Sequence, residues 1–155
     1  IAAFDQWDSN VLFSGSDDCK FKAWDLRVST DFPIFSNSRH TMGVCSAQSH
    51  PLVPNYLATG SYDEMVRVWD TRQLKAPVME ESTGGGVWRV KWHPYRAGTL
   101  LTASMHNGFH VWDVQGLEQP SAARVSEEPP SESATTTADN TSDSKQRMEE
   151  QQSTL

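Results

Sequence analysis

Three stretches of the chain decide its fold: Ser14-Gly15-Ser16-Asp17-Asp18 running on to Ala23-Trp24-Asp25, Thr59-Gly60-Ser61-Tyr62-Asp63 to Val68-Trp69-Asp70, and Thr102-Ala103-Ser104-Met105-His106 to Val111-Trp112-Asp113. The tryptophans are 45 and 43 residues apart. A second repeat lies between them: Gly43-Val44-Cys45 leads to His50-Pro51, and Gly86-Val87-Trp88 leads to His93-Pro94, again 43 residues on. Self-similarity at a fixed period of this size marks a repeat architecture in which each unit buries its faces against its neighbours.

Within a unit, alternation of apolar and polar residues and the turn signals read as strands. The middle unit is expected to hold strands over Val44–Ser49, Tyr56–Ser61 and Met65–Asp70, with a tight turn at Tyr62–Glu64 and a weaker outer strand near Ala76–Glu80. The next unit repeats this at Val87–Trp92, Thr99–Ser104 and Gly108–Asp113. The first keeps only its later strands, Val11–Ser16, Lys20–Asp25 and an outer strand near Phe32–Phe35. Four strands per unit ending in Trp-Asp is the pattern of β-propeller blades. The expectation is an all-β propeller fragment of about two and a half blades over residues 1–115. Fewer than three blades cannot close a ring, and the chain begins with Ile1 rather than Met, so it reads as a piece of something longer.

Residues 116–155 obey different physics. All fifteen aromatic residues lie before them, and they hold eight acidic residues against three basic ones. A segment this poor in apolar surface cannot offset its ordering entropy, so a disordered, acidic, Ser/Thr-rich tail or insertion is expected there. The body carries only −2 of the net charge of −7 and has no basic stripe, which speaks against a nucleic-acid partner. No apolar run is long enough for a membrane span. Cys19 and Cys45 do not make a disulfide framework, which points to a reducing, cytoplasmic setting. No Cys or His cluster has zinc spacing, no nucleophile elbow appears, and Gly84-Gly85-Gly86 lacks the Lys-Ser/Thr of a phosphate loop; neither metal nor cofactor is expected.

The repeat resembles WD-repeat propellers. In that family a buried network often ties a blade together: a His before the innermost strand, a hydroxyl on the second strand, an Asp in the following turn, and the Trp of the third strand. The resemblance implies His40, Ser61, Asp63 and Trp69 in the middle blade, and Ser16, Asp18 and Trp24 in the first. The third blade departs, with Thr83 at the His position and His106 in place of the turn Asp. His106 is then either a solvent-facing turn residue or free for another task. His50 and His93 read as turn residues, and His110 as facing out of its strand. The loops before the innermost strands and the turns after the second strands share one face of a propeller. That face collects histidines and carboxylates, and a His beside a carboxylate is able to activate water.

More specific are Arg39-His40-Thr41-Met42-Gly43-Val44-Cys45, Ala58-Thr59-Gly60-Ser61-Tyr62-Asp63-Glu64, Gly85-Gly86-Val87-Trp88-Arg89 with Lys91-Trp92-His93-Pro94, and Met105-His106 before Gly108-Phe109. Together they resemble the WD-repeat diphthine methyl ester hydrolases (diphthine methyltransferases) of diphthamide biosynthesis, over about residues 10–114. The resemblance implies hydrolysis of the methyl ester of the diphthine intermediate on elongation factor 2, without a cofactor. It carries no assigned catalytic residues. The residues themselves suggest His106, His40 and Asp63 for acid–base chemistry. Arg39 and the amides around Gly85 are candidates to meet the oxyanion, with Glu64 on the same face. Tyr62 and Trp88 are candidates for an aromatic wall against the substrate's trimethylammonium group, although Trp88 reads equally well as inner-strand packing. The competing class is a non-catalytic scaffold that binds a protein partner.

Overall fold

A computed structural model describes residues 1–117, all of them strand, turn or loop. Among these described residues eleven strands form three antiparallel sheets. The first sheet holds β1 (Ala2–Phe4), β2 (Val11–Gly15), β3 (Phe21–Asp25) and β4 (Phe35–Asn37) in that order. The second holds β5 (Val44–Ser49), β6 (Tyr56–Ser61), β7 (Met65–Asp70) and β8 (Met79–Ser82), and the third β9 (Val87–Trp92), β10 (Thr99–Ser104) and β11 (Gly108–Asp113). Each sheet is an up-and-down meander, as a propeller blade is.

The first blade is more complete than its sequence suggests. Ala2–Phe4 pairs with β2 in the register Ala2↔Ser14 to Phe4↔Leu12, so this blade has its innermost strand. Three residues are too few to show a period, which hid β1 from a reading by alternation. The outer strands lie further along than expected, at Phe35–Asn37 and Met79–Ser82, because nothing apolar and alternating marks them. The acidic tail expected over 116–155 falls, from residue 118 on, outside the described residues.

The core lies between the blades. One cluster joins Phe13, Phe21 and Ala23 of the first sheet to Leu57, Trp69 and Leu74 of the second. Phe21 stacks on Phe13 at 5.7 Å and on Trp69 at 5.9 Å between ring centroids. A second cluster packs Ala58, Val66 and Val68 against Val87, Val90 and Leu100. Each fully buried large side chain of this kind contributes about 2–3 kcal/mol. The β6 residues Leu57 and Ala58 point to opposite faces, as the period of two requires, so one strand serves both interfaces.

Two glycines set how closely successive blades approach. A Cβ on Gly15 would stand 2.6 Å from the Cβ of Val44, and one on Gly60 would stand 2.5 Å from a Val87 methyl. Polar links reinforce these joints: Val44 N–H donates to the Ser16 carbonyl, and Val90 N–H to Ser46 Oγ. His50 is fully buried, accepting the Leu52 and Val53 amides at Nδ1 and donating from Nε2 to the Ala97 carbonyl at 2.7 Å. It is therefore a cross-blade anchor as well as the turn residue expected. The far face of the third sheet presents Leu101, Phe109 and Val111 outward, Phe109 being 72% exposed.

Candidate functional site

The loops before the innermost strands and the turns after the second strands do converge on one face. Tyr62 N–H donates to the Gly43 carbonyl, Thr83 N–H to the Glu64 carbonyl, and Met105 N–H to the Gly86 carbonyl at 2.7 Å.

In the middle blade the buried relay runs through a different hydroxyl from the one expected. His40 Nδ1–H donates to the Asp63 carboxylate at 3.0 Å, and His40 Nε2 accepts from Thr59 Oγ1 at 2.9 Å. Thr59 Oγ1 in turn accepts the Trp69 indole N–H at 2.9 Å. With Nδ1 protonated, the imidazole and the Thr59 hydroxyl each give and receive, the carboxylate only accepts and the indole only donates, while Arg67 Nη1 also crowds His40 Nδ1. Ser61 instead donates to the Met42 carbonyl and accepts the Asp63 amide, pinning the turn. Register explains the difference. Leu57 pairs with Trp69, and Thr59 is the next residue along on the same face, diagonal to the indole. The same ten-residue step joins Trp24 to Ser14 and Trp112 to Thr102, both at 2.9 Å, so Ser14 and not Ser16 serves the first blade.

His40 is only 2% exposed, with both ring nitrogens engaged inside the blade, which leaves neither for a substrate. The catalytic reading of His40 gives way to one in which His40 and Asp63 position the face. Burial by itself would raise the Asp63 pKa, but hydrogen bonds from His40 and Arg67 outweigh it and hold the carboxyl well below the usual range. The Arg67 guanidinium bridges outward, Nη1 to Asp63 at 2.8 Å and Nε to Glu80 at 3.3 Å. Glu80 also holds Arg39 Nε at 2.6 Å, so Arg39 ends a charge ladder that starts at the buried imidazole. Burial would raise the Glu80 pKa as well, and the two arginines bring it below its ordinary value.

The third blade shows what losing the turn aspartate does. In the other two blades that carboxylate accepts the amide two residues on, from Asp18 to Lys20 and from Asp63 to Met65, and the residue between turns left-handed, Cys19 at φ 62° and Glu64 at φ 67°. This is an Asx-turn. His106 cannot accept in that way. The chain turns left-handed at His106 itself, φ 65°, and again at Gly108, and the imidazole stands exposed. Thr83 occupies the place of His40 and binds the Gly85 carbonyl, the acceptor corresponding to the one Ser61 uses in the blade before. Ser104 Oγ is left buried without a partner, as is His110 Nδ1. His110 does not face out. It is the cross-strand partner of the fully buried Thr102, with its ring 5.6 Å from Trp112. The signal for these orphaned atoms was the pair of departures at Thr83 and His106.

Of the other candidate residues, Gly85, Tyr62 and Trp88 come together beside the His106 turn. A Cβ on Gly85 would stand 1.9 Å from the Met105 carbonyl oxygen, so only glycine fits beneath that turn. Tyr62 meets Trp88 edge-on at 5.6 Å, and Trp88 is 48% exposed. The register shift in β9 beside Ser104 marks a β-bulge, a device that re-aims side chains. Both readings of Trp88 hold in part, since it packs on Tyr62 and still presents a face. Glu64 is exposed, its carbonyl bound to Thr83. Arg39 stands apart from this group, held to Glu80. Among the described residues no cluster of His, Cys, Asp and Glu could hold a metal, and no helix is long and apolar enough to cross a membrane.

A WD domain, G-beta repeat model matches residues 32–70, and a chain in a crystal structure of the mitotic checkpoint complex superposes with a TM-score of 0.63 at 25% identity, covering 72% of this chain and 34% of that one. The chain is part of a WD-repeat propeller. Among curated proteins it is similar to the diphthine methyltransferase of Mus musculus, 50% identical over 115 residues. That alignment covers 74% of this chain and 24% of that protein. The diphthine methyltransferase homolog of Dictyostelium discoideum is 46% identical over 121 residues, covering 72% of this chain and 33% of the relative. These propeller blades thus have homologues named for diphthine, and the chain spans a quarter to a third of their length.

Proposed function

We propose that the full-length protein acts in diphthamide biosynthesis by hydrolysing the methyl ester of the diphthine intermediate on elongation factor 2, in the cytoplasm. The identity of 46–50% across these blades to proteins named for diphthine carries this reading. Identity at this level over 72–74% of the chain favours a shared substrate over a generic scaffold.

His106 is the imidazole for the chemistry, exposed at a turn that departs from the other blades. It takes a proton from water as the oxygen attacks the ester carbonyl. Backbone amides of the Gly85–Gly86 stretch, and not Arg39, which Glu80 holds apart, meet the oxyanion. Collapse breaks the carbonyl–methoxy bond, and the protonated imidazole returns its proton to the leaving methoxide. The products are methanol and the free carboxylate, with one further proton lost to solvent. No metal or cofactor enters this sequence.

The relatives' name denotes methyl transfer, and one assay separates the two reactions. Methyl-ester-bearing elongation factor 2 is incubated with the full-length protein, with no methyl donor present, and methanol is measured. Release is expected, falling about 10²–10⁴-fold in His106→Ala, the usual contribution of general acid–base catalysis. Release unchanged in the variant removes His106 from the chemistry. Binding of elongation factor 2 without methanol returns the protein to the scaffold class.

A further inference from the structure

We propose that the far face of the third sheet seats the innermost strand of a further blade of the full-length protein, and that this strand brings carboxylates to Arg89 and Lys91 and sends one large side chain into a pocket beside His93. The repeat argues for the occupant. Phe13, Phe21 and Ala23 are covered by the second sheet, and the residues 45 further on, Ala58, Val66 and Val68, are covered by the third. Another 43 residues lead to Leu101, Phe109 and Val111, which are 41%, 72% and 64% exposed among the described residues. An apolar strip that the fold covers twice calls for the same kind of cover a third time, because a blade buries its faces only against neighbours.

The chemistry of that cover differs from the joint before it. Ser46 and Gln48 pair with Gly60 and Ala58 across β5 and β6, so they share the face that meets the third sheet. There Ser46 Oγ accepts the Val90 amide at 3.0 Å, and Gln48 Oε1 accepts the Trp92 amide at 2.9 Å. Arg89 and Lys91 take those two places in the third sheet, opposite Ala103 and Leu101. Each only donates, so neither can receive a backbone amide. Both are exposed and in no ion pair among the described residues. Covering a cation without a partner is costly, so the incoming strand must bring acceptors, and two cations on one strip select carboxylates.

The pocket fixes the second feature. It measures about 330 Å³ and is lined by Lys91, Trp92, His93, Pro94, Leu101 and Val111 among others. In the preceding joint Gln48 and His50, which correspond to Lys91 and His93, hold the Trp92 ring. The indole donates to the Gln48 carbonyl at 3.1 Å and lies 4.3 Å from the imidazole. His50 Nε2 also donates across that joint, to the Ala97 carbonyl. His93 accepts the Tyr95 and Arg96 amides at Nδ1, just as His50 accepts those of Leu52 and Val53, and its Nε2 has no partner among the described residues. The third sheet thus repeats both the ring-sized socket and the spare imidazole nitrogen.

The proposal does not depend on the reaction catalysed. It is tested on the full-length protein by the rate at which single introduced cysteines take up a maleimide, read peptide by peptide in a mass spectrometer. Val111→Cys should react at least about tenfold more slowly than Val78→Cys, a 55% exposed position just before β8. Equal rates would overturn the proposal. So would protection that fades on dilution, which would belong to a second copy, and protection lifted by changing Glu127, Glu128 and Glu132 to glutamine, which would belong to the acidic segment of this chain. Urea unfolding tests the charge: Lys91→Glu should lower the midpoint more than Lys91→Gln does, and an equal or smaller effect would overturn the carboxylates. Leu101→Trp fills the pocket and should also lower the midpoint; an unchanged midpoint would mean that no side chain enters it and would overturn that part.

Discussion

Replacing Thr59 by valine tests the relay at its narrowest point. The two side chains have nearly the same shape, so no cavity opens, and the change removes one oxygen that both donates to His40 Nε2 and accepts from the Trp69 indole, each at 2.9 Å. Thr59, His40 and Trp69 are all buried, so water cannot replace the lost partner. A buried polar group stripped of its partner costs about 1–3 kcal/mol, and two are stripped here. The expected loss is about 3 kcal/mol, somewhat less than twice the single cost because the groups share one site. Thr102→Val in the third blade is the internal control. Thr102 is equally buried and accepts the Trp112 indole at the same distance, but its hydroxyl bonds no histidine, His110 beside it keeping an unpartnered Nδ1, so only one partner is stripped and about 1–2 kcal/mol should be lost. Urea unfolding of the full-length protein reads both from the shift in midpoint at unchanged slope. If Thr59→Val costs no more than Thr102→Val, His40 is not drawing on the hydroxyl, and its assignment to the relay fails.

Gly60→Ala should destabilise by about 1–3 kcal/mol through overpacking, because the new methyl arrives 2.5 Å from Val87; pairing it with Val87→Ala should recover part of the loss in the same unfolding assay. His50 makes stability depend on pH: burial depresses its pKa below the ordinary histidine value, against a smaller opposing effect of its bond to the Ala97 carbonyl. The unfolded chain then binds the proton more readily than the folded one. Stability should be full above about pH 6.5 and fall as the pH drops below that value, a slope that His50→Gln, measured by thermal unfolding across pH 5–8, should flatten.

Much of this structure was legible because the repeat reports itself three times. The strands around each Trp-Asp lie where alternation put them, and the convergence of the turns on one face followed from the strand order. What escaped was short, outer or diagonal. β1 is three residues long, and β8 reads Met-Glu-Glu-Ser, a strand that packs Met79 on the core and pairs Glu80 with Arg67 and Arg39 but shows no alternating apolar face. The relay hydroxyl was misplaced by two residues because a diagonal cross-strand contact depends on register, which the motif does not print. The ten-residue step from hydroxyl to indole, present in all three blades, would have placed it. At the candidate face the residue types were visible but their commitments were not: His40 and Arg39 are already engaged, by Asp63 and Glu80, and Tyr62 is flanked by Gly43 and Gly86, a placement that appears only in three dimensions.

The glycines at the blade joints have a consequence for any attempt to rearrange the molecule by parts. At Gly15 and Gly60 one blade's backbone comes within a methyl's width of the next blade's valine, whereas the same place in the third sheet is Ala103. The three socket positions are therefore not interchangeable. A blade cut from the middle of the chain and seated on the third sheet would bring its own Val44 against a methyl that the original socket lacks, and would have to tilt or stand off. Modular sequence does not here imply modular assembly: each blade is machined to the neighbour it already has, and a builder of chimeric propellers would need to carry the socket residue along with the blade.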